Sequence, residues 1–588
     1  MKTTTNPILL GTLWVLLTIP FFSLGQIYPG NLHLQTQAQV DSFNYVQVAG
    51  NLLISGSDIT NLDSLYRLNQ VVQNLEIGPT NALVNLSGLD LLNKLGSLSI
   101  HDNQQLLSTA AMNNLQLLDA NVEVYRNPAL SSLSGLNKLT EIPGSLDVYQ
   151  NARLKELEGL QLIKKIGNNF WVRENDSLQH LNGLRKLEWV AGNFYLQHNP
   201  ALLQIDSLHR LHSISFRLEI TNCDKLEELD GFKSLGWSTG LILEGNAALR
   251  DISGLANLQM FTGRIEIREN ASLGSLSGLQ SIGPLLYGLD VVGNGRLKDL
   301  SGLSNLQTVI GSLKIIGNDS LPGLNGLQQL SSIEGGLQIE DNDLLLEIDS
   351  LYHLQYIWGG LTRLGIEIKR NASLRHVNGL IGLDTFTQSL TIQDNPSLQH
   401  LDGLAAMNNL NGDLEIINND SLSDVSCLVN MKYVNGNLRV HDNDMLETCL
   451  ALCSLIGNPW NIRVGGSITV GNNGGFCNEP HLNGPSGCSA GPNSIDPHMR
   501  PGMVWESVYP NPARDRLTLE ISAERILSVK IDLISPIGQH ITTLWQGRLR
   551  TGTQSIPLDL PILTSGIYLC KISHADGQET RYIEVGSR

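Results

Sequence analysis

The chain has 588 residues, 41% hydrophobic and 16% charged, with 57 glycines and a net charge of −17. That length is too great for one compact core, and so low a charged fraction argues against a disordered chain. The acidic balance argues against nucleic acid or an anionic membrane surface as the main partner.

Residues 1–25 read as a signal peptide. Lys2 supplies the positive start, an apolar run covers 8–24, and Ser23 and Gly25 provide the small residues for cleavage before Gln26. No later run is long enough to span a bilayer, so the mature chain is expected to be exported and free or surface-tethered.

The organising feature is a repeat. The frame L-x-I/V-x-x-N-x-x-L, as in Leu146 to Leu154, recurs at first residues 52, 75, 98, 122, 146, 170, 194, 218, 241, 265, 289, 313, 337, 366, 390, 414, 438 and 468. That makes 18 coils with 17 intervals: twelve of 24 residues, three of 23, one of 29 and one of 30. The first three residues alternate as a short strand does, with Leu and Val inward. The sixth residue is an Asn whose amide can satisfy backbone groups left open by the turn. Asn127, Asn151, Asn175, Asn199, Asn246 and Asn270 take this position, so stacked coils should carry an Asn ladder. Cys223 takes it once, as a buried structural thiol. Apolar residues and glycines follow, for example from Leu154 to Gly167, the glycines being expected to permit the bends. One coil cannot bury its apolar side alone, so stability should come from stacking.

These coils resemble bacterial leucine-rich repeats of the receptor L-domain type, over about residues 27–488. Residues 26–51 resemble the N-terminal cap of such arrays and residues 52–448 their solenoid. The resemblance implies a mainly β fold, a right-handed solenoid with a continuous parallel sheet. Eighteen coils at ~4.8 Å per strand would make a rod of roughly 85 Å.

Five of the seven cysteines fall where the repeat ends. Cys449, Cys453, Cys477 and Cys488 are disulfide candidates within a C-terminal cap, 449–488, that includes the last coil. Their spacing leaves three pairings open. A zinc site is the alternative, disfavoured by export and by the lack of a suitably spaced His pair. Cys427 either joins the cap or stays buried. Residues 489–507, rich in Pro, Gly and Ser, read as a linker.

Residues 508–588 carry strand-like alternation separated by turns, so a small antiparallel sandwich is expected. Tyr509-Pro510-Asn511-Pro512 opens it, Gly538 marks a middle turn, and Gly566 and Tyr568 precede a late strand. These motifs resemble the type A C-terminal sorting domain of the type IX secretion system. The resemblance implies passage through that machinery to the outer-membrane surface or the medium. It also implies removal of the tail, with release or attachment to lipopolysaccharide.

No catalytic motif, metal-ligand set or cofactor loop stands out, so no enzyme activity and no cofactor or metal are expected. The paired acids around Asn342 and Asn443 fit ladder turns better than calcium loops. What remains is the sheet's outer face, made by the second and fourth frame residues. There Tyr125, Tyr149, Trp171, Arg173 and Tyr195 fall on consecutive coils, across roughly 15 Å. In a chain with 5% aromatics, such a cluster resembles a binding hot spot. Its flat rings could stack on sugar rings. Glu123, Asp147, Glu174 and Glu219 would rim it, which suits a ligand with positive charge or many hydroxyls. The expected ligand is an extracellular protein or glycan. The alternative is a spacer with no specific ligand, in which the large side chains only pave the sheet.

Two lesser features complete the reading. The long interval after Leu337 would form a protruding loop bearing Trp358 and Arg363, a second binding candidate. The recurring Asp-Ser-Leu triplet resembles an O-glycosylation acceptor and would place sugars on Ser64, Ser177, Ser207, Ser320, Ser350 and Ser421.

Overall fold

The structure is a computed structural model. It describes residues 25–259, 261, 263–359, 365–383, 388–447, 449–456, 463–475, 477, 503–509, 513–523, 525–535, 540–563, 566–574 and 577–585. Residues 1–24 of the expected signal peptide, Arg363, Cys488, Pro510, Asn511, Pro512, Gly538 and residues 489–502 of the expected linker lie outside these residues, while residues 503–507 of that linker belong instead to a strand of the tail, Met503–Tyr509. The described chain is mainly β and divides into two compact units, Met1–Gly283 and Pro284–Arg588.

The first unit begins with a short helix, Gln37–Asp41, closed by a capping box between Thr36 and Gln39. Val40 and Phe43 from this segment are buried and cover the first coil. Parallel strands then follow one per coil, including Val122–Tyr125, Leu146–Tyr149, Phe170–Arg173, Phe194–Gln197 and Arg217–Thr221. Their register matches the repeat frame: Val122 pairs with Leu146, Leu146 with Phe170, Phe170 with Phe194 and Phe194 with Leu218. Each four-residue strand alternates buried and half-buried residues. A second run of two-residue parallel strands, Glu141–Ile142, Lys165–Ile166, Trp189–Val190 and Ser213–Ile214, stacks at another side of the coil. Single 3₁₀ turns such as Asn182–Leu184 link the two runs. The apolar frame supplies the core: Leu154, Leu157, Leu160, Ile163 and Ile166 are fully buried, one at every third residue. That spacing suits 3₁₀-like turns, which bring residues i and i+3 into line.

The Asn ladder is continuous over several coils. The Asn127 N–H donates to Asn151 Oδ1 at 3.2 Å, while Asn127 Nδ2 donates to the Ile100 carbonyl at 2.9 Å and its own strand's Tyr125 carbonyl at 3.0 Å. Asn151 and Asn175 repeat the pattern. All three are fully buried. Each such bond is worth about 1 kcal/mol net, and an unmade one would cost more. Cys223 fills its rung fully buried, its N–H held by Asn246 Oδ1 at 3.1 Å. Burial pushes its thiol up to about 12, consistent with an inert structural cysteine. The residue just before each rung is left-handed whatever its type: Arg126 at φ 52°, Gln150 at 55°, Glu174 at 55° and His198 at 53°. Such backbone costs about 1 kcal/mol per residue, and the rung that follows offsets it.

The glycines do something other than the expected bending at several positions. Gly159, at φ 117°, does turn the chain through a conformation that L side chains avoid. Gly183 does not. A Cβ there would lie 1.7 Å from the Leu157 carbonyl oxygen of the preceding coil. Its role is to let one coil's backbone approach the next.

The second unit contains the same kind of coil. Strands Leu313–Ile316, Leu337–Glu340, Ile366–Lys369, Leu390–Gln393, Leu414–Ile417, Leu438–His441 and Ile468–Gly471 pair in parallel. Its ladder runs through Asn318, Asn342, Asn371, Asn395, Asn419 and Asn443. At the last rung Asn473 Nδ2 donates to the carbonyl of Cys477, which is disulfide-bonded to Cys449. The cap therefore takes the place of the missing next coil. Cys453 is disulfide-bonded as well. Cys427 carries a free thiol and does not join the cap.

The C-terminal segment forms two antiparallel sheets. One holds Met503–Tyr509, Arg516–Ala523 and Gly552–Asp559, the other Leu527–Ile534, His540–Leu549, Gly566–His574 and Gly577–Val585. Leu519, Ile531, Cys570 and Ile572 lie fully buried in its core. Tyr568 is buried there, whereas Tyr509 is exposed at the end of its strand. Among the described residues no helix is long and apolar enough to cross a membrane.

Candidate functional site

Because the strands are in register, outward side chains of successive coils form columns. One column holds His101, Tyr125, Tyr149 and Arg173, the other Glu123, Asp147, Trp171 and Tyr195. Neighbours in a column are about 4.8 Å apart, the distance at which flat groups stack. His101 and Tyr125 stack with centroids 4.9 Å apart, and Tyr125 and Tyr149 at 4.7 Å, both pairs with nearly parallel rings. Arg173 continues the column, its guanidinium 4.2 Å from the Tyr149 centroid and 5.3 Å from that of Trp171. Trp171 meets Tyr195 edge-on at 5.5 Å.

The five expected residues are thus brought together, but not as open platforms. Each is half-buried. The faces of Tyr125 and Tyr149 are taken up by His101, Arg126, Arg173 and each other. Stacking of these two rings on sugar rings is therefore closed, because the strand spacing that aligns the rings also packs them. Ring edges, hydroxyls and the Trp171–Tyr195 corner remain.

The polar groups of this corner are incompletely satisfied. Arg173 Nη2 donates to Asp147 Oδ2 at 3.2 Å. Asp147 Oδ1, Trp171 Nε1 and Arg173 Nε are all buried and without a hydrogen-bond partner. Burial raises the Asp147 carboxyl above its usual range, against the opposing pull of Arg173. Burial, reinforced by Asp147, raises Glu123 too. The corner therefore holds two N–H donors and a carboxylate oxygen just beneath its surface, with aromatic edges beside them on adjacent coils. At the other end, His101 lies between Asp102 at 2.8 Å and Glu76 at 3.1 Å. Arg126 binds Asp102 through two hydrogen bonds of 2.7 Å and holds its carboxyl at about 2.

His101 and Arg126 were not singled out by sequence reasoning. The signal available was the column itself: His101 is the fourth frame residue of its coil, and Asp102 and Arg126 are fifth residues of adjacent coils.

Elsewhere, Trp358 is 68% exposed. Ser207 is buried and its hydroxyl donates to the Leu181 carbonyl at 2.7 Å, which removes it as a sugar acceptor. Glu347, Asp349 and His376 place ligand-type atoms within 4.8 Å of one another. The Asp349 carboxylate, 3.3 Å from His376, raises the imidazole's pKa.

The described chain is thus a repeat β architecture followed by two antiparallel sheets that share one core. Residues 507–585 match the family model described as the secretion system C-terminal sorting domain. That domain marks proteins carried by the type IX secretion system to the outer-membrane surface or the extracellular space. No curated protein matches the chain.

Proposed function

We propose that the chain is a non-enzymatic recognition or adhesion protein of the leucine-rich-repeat, receptor L-domain-like type. Its solenoid, in this reading right-handed, binds an extracellular protein or glycan through the corner formed by Asp147, Trp171, Arg173 and Tyr195. The carrying observation is the cluster of three unpartnered buried polar atoms on an outward face. Buried polar groups are normally paired, and leaving three unpaired has a cost that a ligand would offset. The tail delivers the protein, is removed, and leaves the solenoid released or attached to lipopolysaccharide.

The stacked column of His101, Tyr125 and Tyr149 supports a second reading, a stiff spacer, because cross-strand stacking stabilises a sheet without any ligand. The two separate in one experiment. The full chain, exported to an oxidising compartment, is applied to arrays of purified extracellular proteins and glycans beside the Trp171→Ala/Tyr195→Ala variant. A ligand bound by the wild type and lost by an equally stable variant supports recognition. Retention by the variant would place recognition outside this corner and overturn the reading, and no ligand at all supports the spacer.

A further inference from the structure

A second surface of the first unit carries ligand-binding chemistry of a different kind. A cavity of about 240 Å³ opens beside the strands Arg217–Thr221, Gly240–Glu244 and Arg264–Arg268. Arg217 and Arg264 stand on either side of it, with Thr239, Phe216 and one carboxylate, Glu266, also in its lining. Between the two arginines the register puts Gly240, which pairs with Arg217. This glycine is not required by the coil. A Cβ there would meet only Arg217, its side chain at 3.5 Å and its Cα at 3.9 Å, both ordinary contacts. At Gly183, by contrast, backbone blocks any side chain. The absent side chain at 240 leaves open the gap between two cations.

The surroundings are aromatic and exposed. Phe216 is 55% exposed, and Trp189 and Trp237 are both exposed as well. Trp189, Ser213 and Trp237 pair in sequence on three consecutive coils, so the two indoles flank a small Ser at a separation of about 10 Å. Lys165 Nζ lies 4.5 Å from the Trp189 ring centroid. Three cations thus accompany three exposed aromatics on a chain whose net charge is −17. Arg217 and Arg264 do bond to Glu219 at 3.4 Å and Glu266 at 3.0 Å. Both pairs lie within one strand, and the two guanidinium groups are about half exposed while their carboxylates are mostly covered, so an anion would approach from the arginine side.

We propose that this surface binds an acidic oligosaccharide. The guanidinium groups of Arg217 and Arg264 would take a carboxylate or sulfate across the Gly240 gap, since their planar forks match such anions. Phe216 and Trp237 would take the apolar faces of adjoining sugar rings. The site adjoins the Asp147–Tyr195 corner, since Glu219 beside Arg217 pairs in register with Tyr195, but it uses other residues and does not rest on the reading given for that corner.

The test is titration of the full exported chain with an oligogalacturonate hexamer and a chondroitin sulfate hexasaccharide. Cellohexaose and a poly-glutamate peptide serve as neutral and purely acidic comparators. The two acidic sugars distinguish carboxylate from sulfate. At least one should bind, more weakly as salt rises, and the comparators should not. Arg217→Ala/Arg264→Ala should weaken that binding at least tenfold. Gly240→Leu, which fills the gap, should do the same with an unchanged melting temperature. Trp171→Ala/Tyr195→Ala should leave it intact. Binding of neither acidic sugar, equal binding of either comparator, or full binding by Gly240→Leu would overturn the proposal.

Discussion

The guanidinium of Arg173 lies 4.2 Å from the ring centroid of Tyr149, one strand away and in register. This contact joins the aromatic column to the unsatisfied polar corner, so it bears on both stability and recognition. Arg173→Ala should cost about 1–2 kcal/mol, the range of a partly desolvated cation–π contact with an added ion pair. Arg173→Lys should recover only part of it, because an ammonium lacks the flat group that continues the stack. Urea unfolding of the three proteins measures this.

Gly183 and Gly240 give opposed expectations. Gly183→Ala would drive a Cβ to 1.7 Å from the Leu157 oxygen, and should lose about 3 kcal/mol by forcing two coils apart. Gly240→Ala should leave the melting temperature unchanged, since its Cβ comes no nearer than 3.5 Å to any neighbour.

Acid should act on Asp102 in a defined direction. Its folded carboxyl is held at about 2, below the ordinary 3.8, chiefly by Arg126. A lowered folded value stabilises the fold above the unfolded pKa, and that stability is lost as pH falls toward about 2. Asp102→Asn should therefore melt below wild type at pH 6, with the gap closing between about pH 4 and 2.

The Cys449–Cys477 bond closes the last coil over a separation of 28 residues. A loop of this size is worth about 3–4 kcal/mol in the chain-entropy account. Cys477→Ala should lower stability and increase amide exchange first at the Asn473 and Asn443 rungs, whose neighbour has been loosened. Hydrogen exchange followed by mass spectrometry locates the change.

Much of the architecture was legible because a 24-residue frame both counts the coils and sets their register. Leu146 opposite Phe170 and Asn127 bonded to Asn151 follow from that frame alone. Other features were not legible. Period-2 alternation tells that Tyr125 and Tyr149 project outward, but not that their faces close on one another; that depends on rotamers and on His101. The glycine at 183 and the one at 240 look alike in sequence, yet one is demanded by a neighbouring carbonyl and the other is not. The left-handed residue before a rung is often Asp, Asn or Gly, as at Asp102, Asn222 and Gly245, but Arg126, Gln150, Glu174 and His198 take the same conformation, so residue type announced it only in part. The Phe216–Arg264 surface was missed because its residues come from strand ends and turns outside the repeating positions.

The most direct test of the recognition reading uses Trp171→Phe, which keeps an aromatic ring but removes the unpartnered Nε1–H. Its affinity for a ligand found on the arrays is compared with wild type in the full exported chain. The account expects at least tenfold weaker binding at an unchanged melting temperature. Equal affinity would show that the corner's open polar groups do not receive the ligand, and would contradict the account.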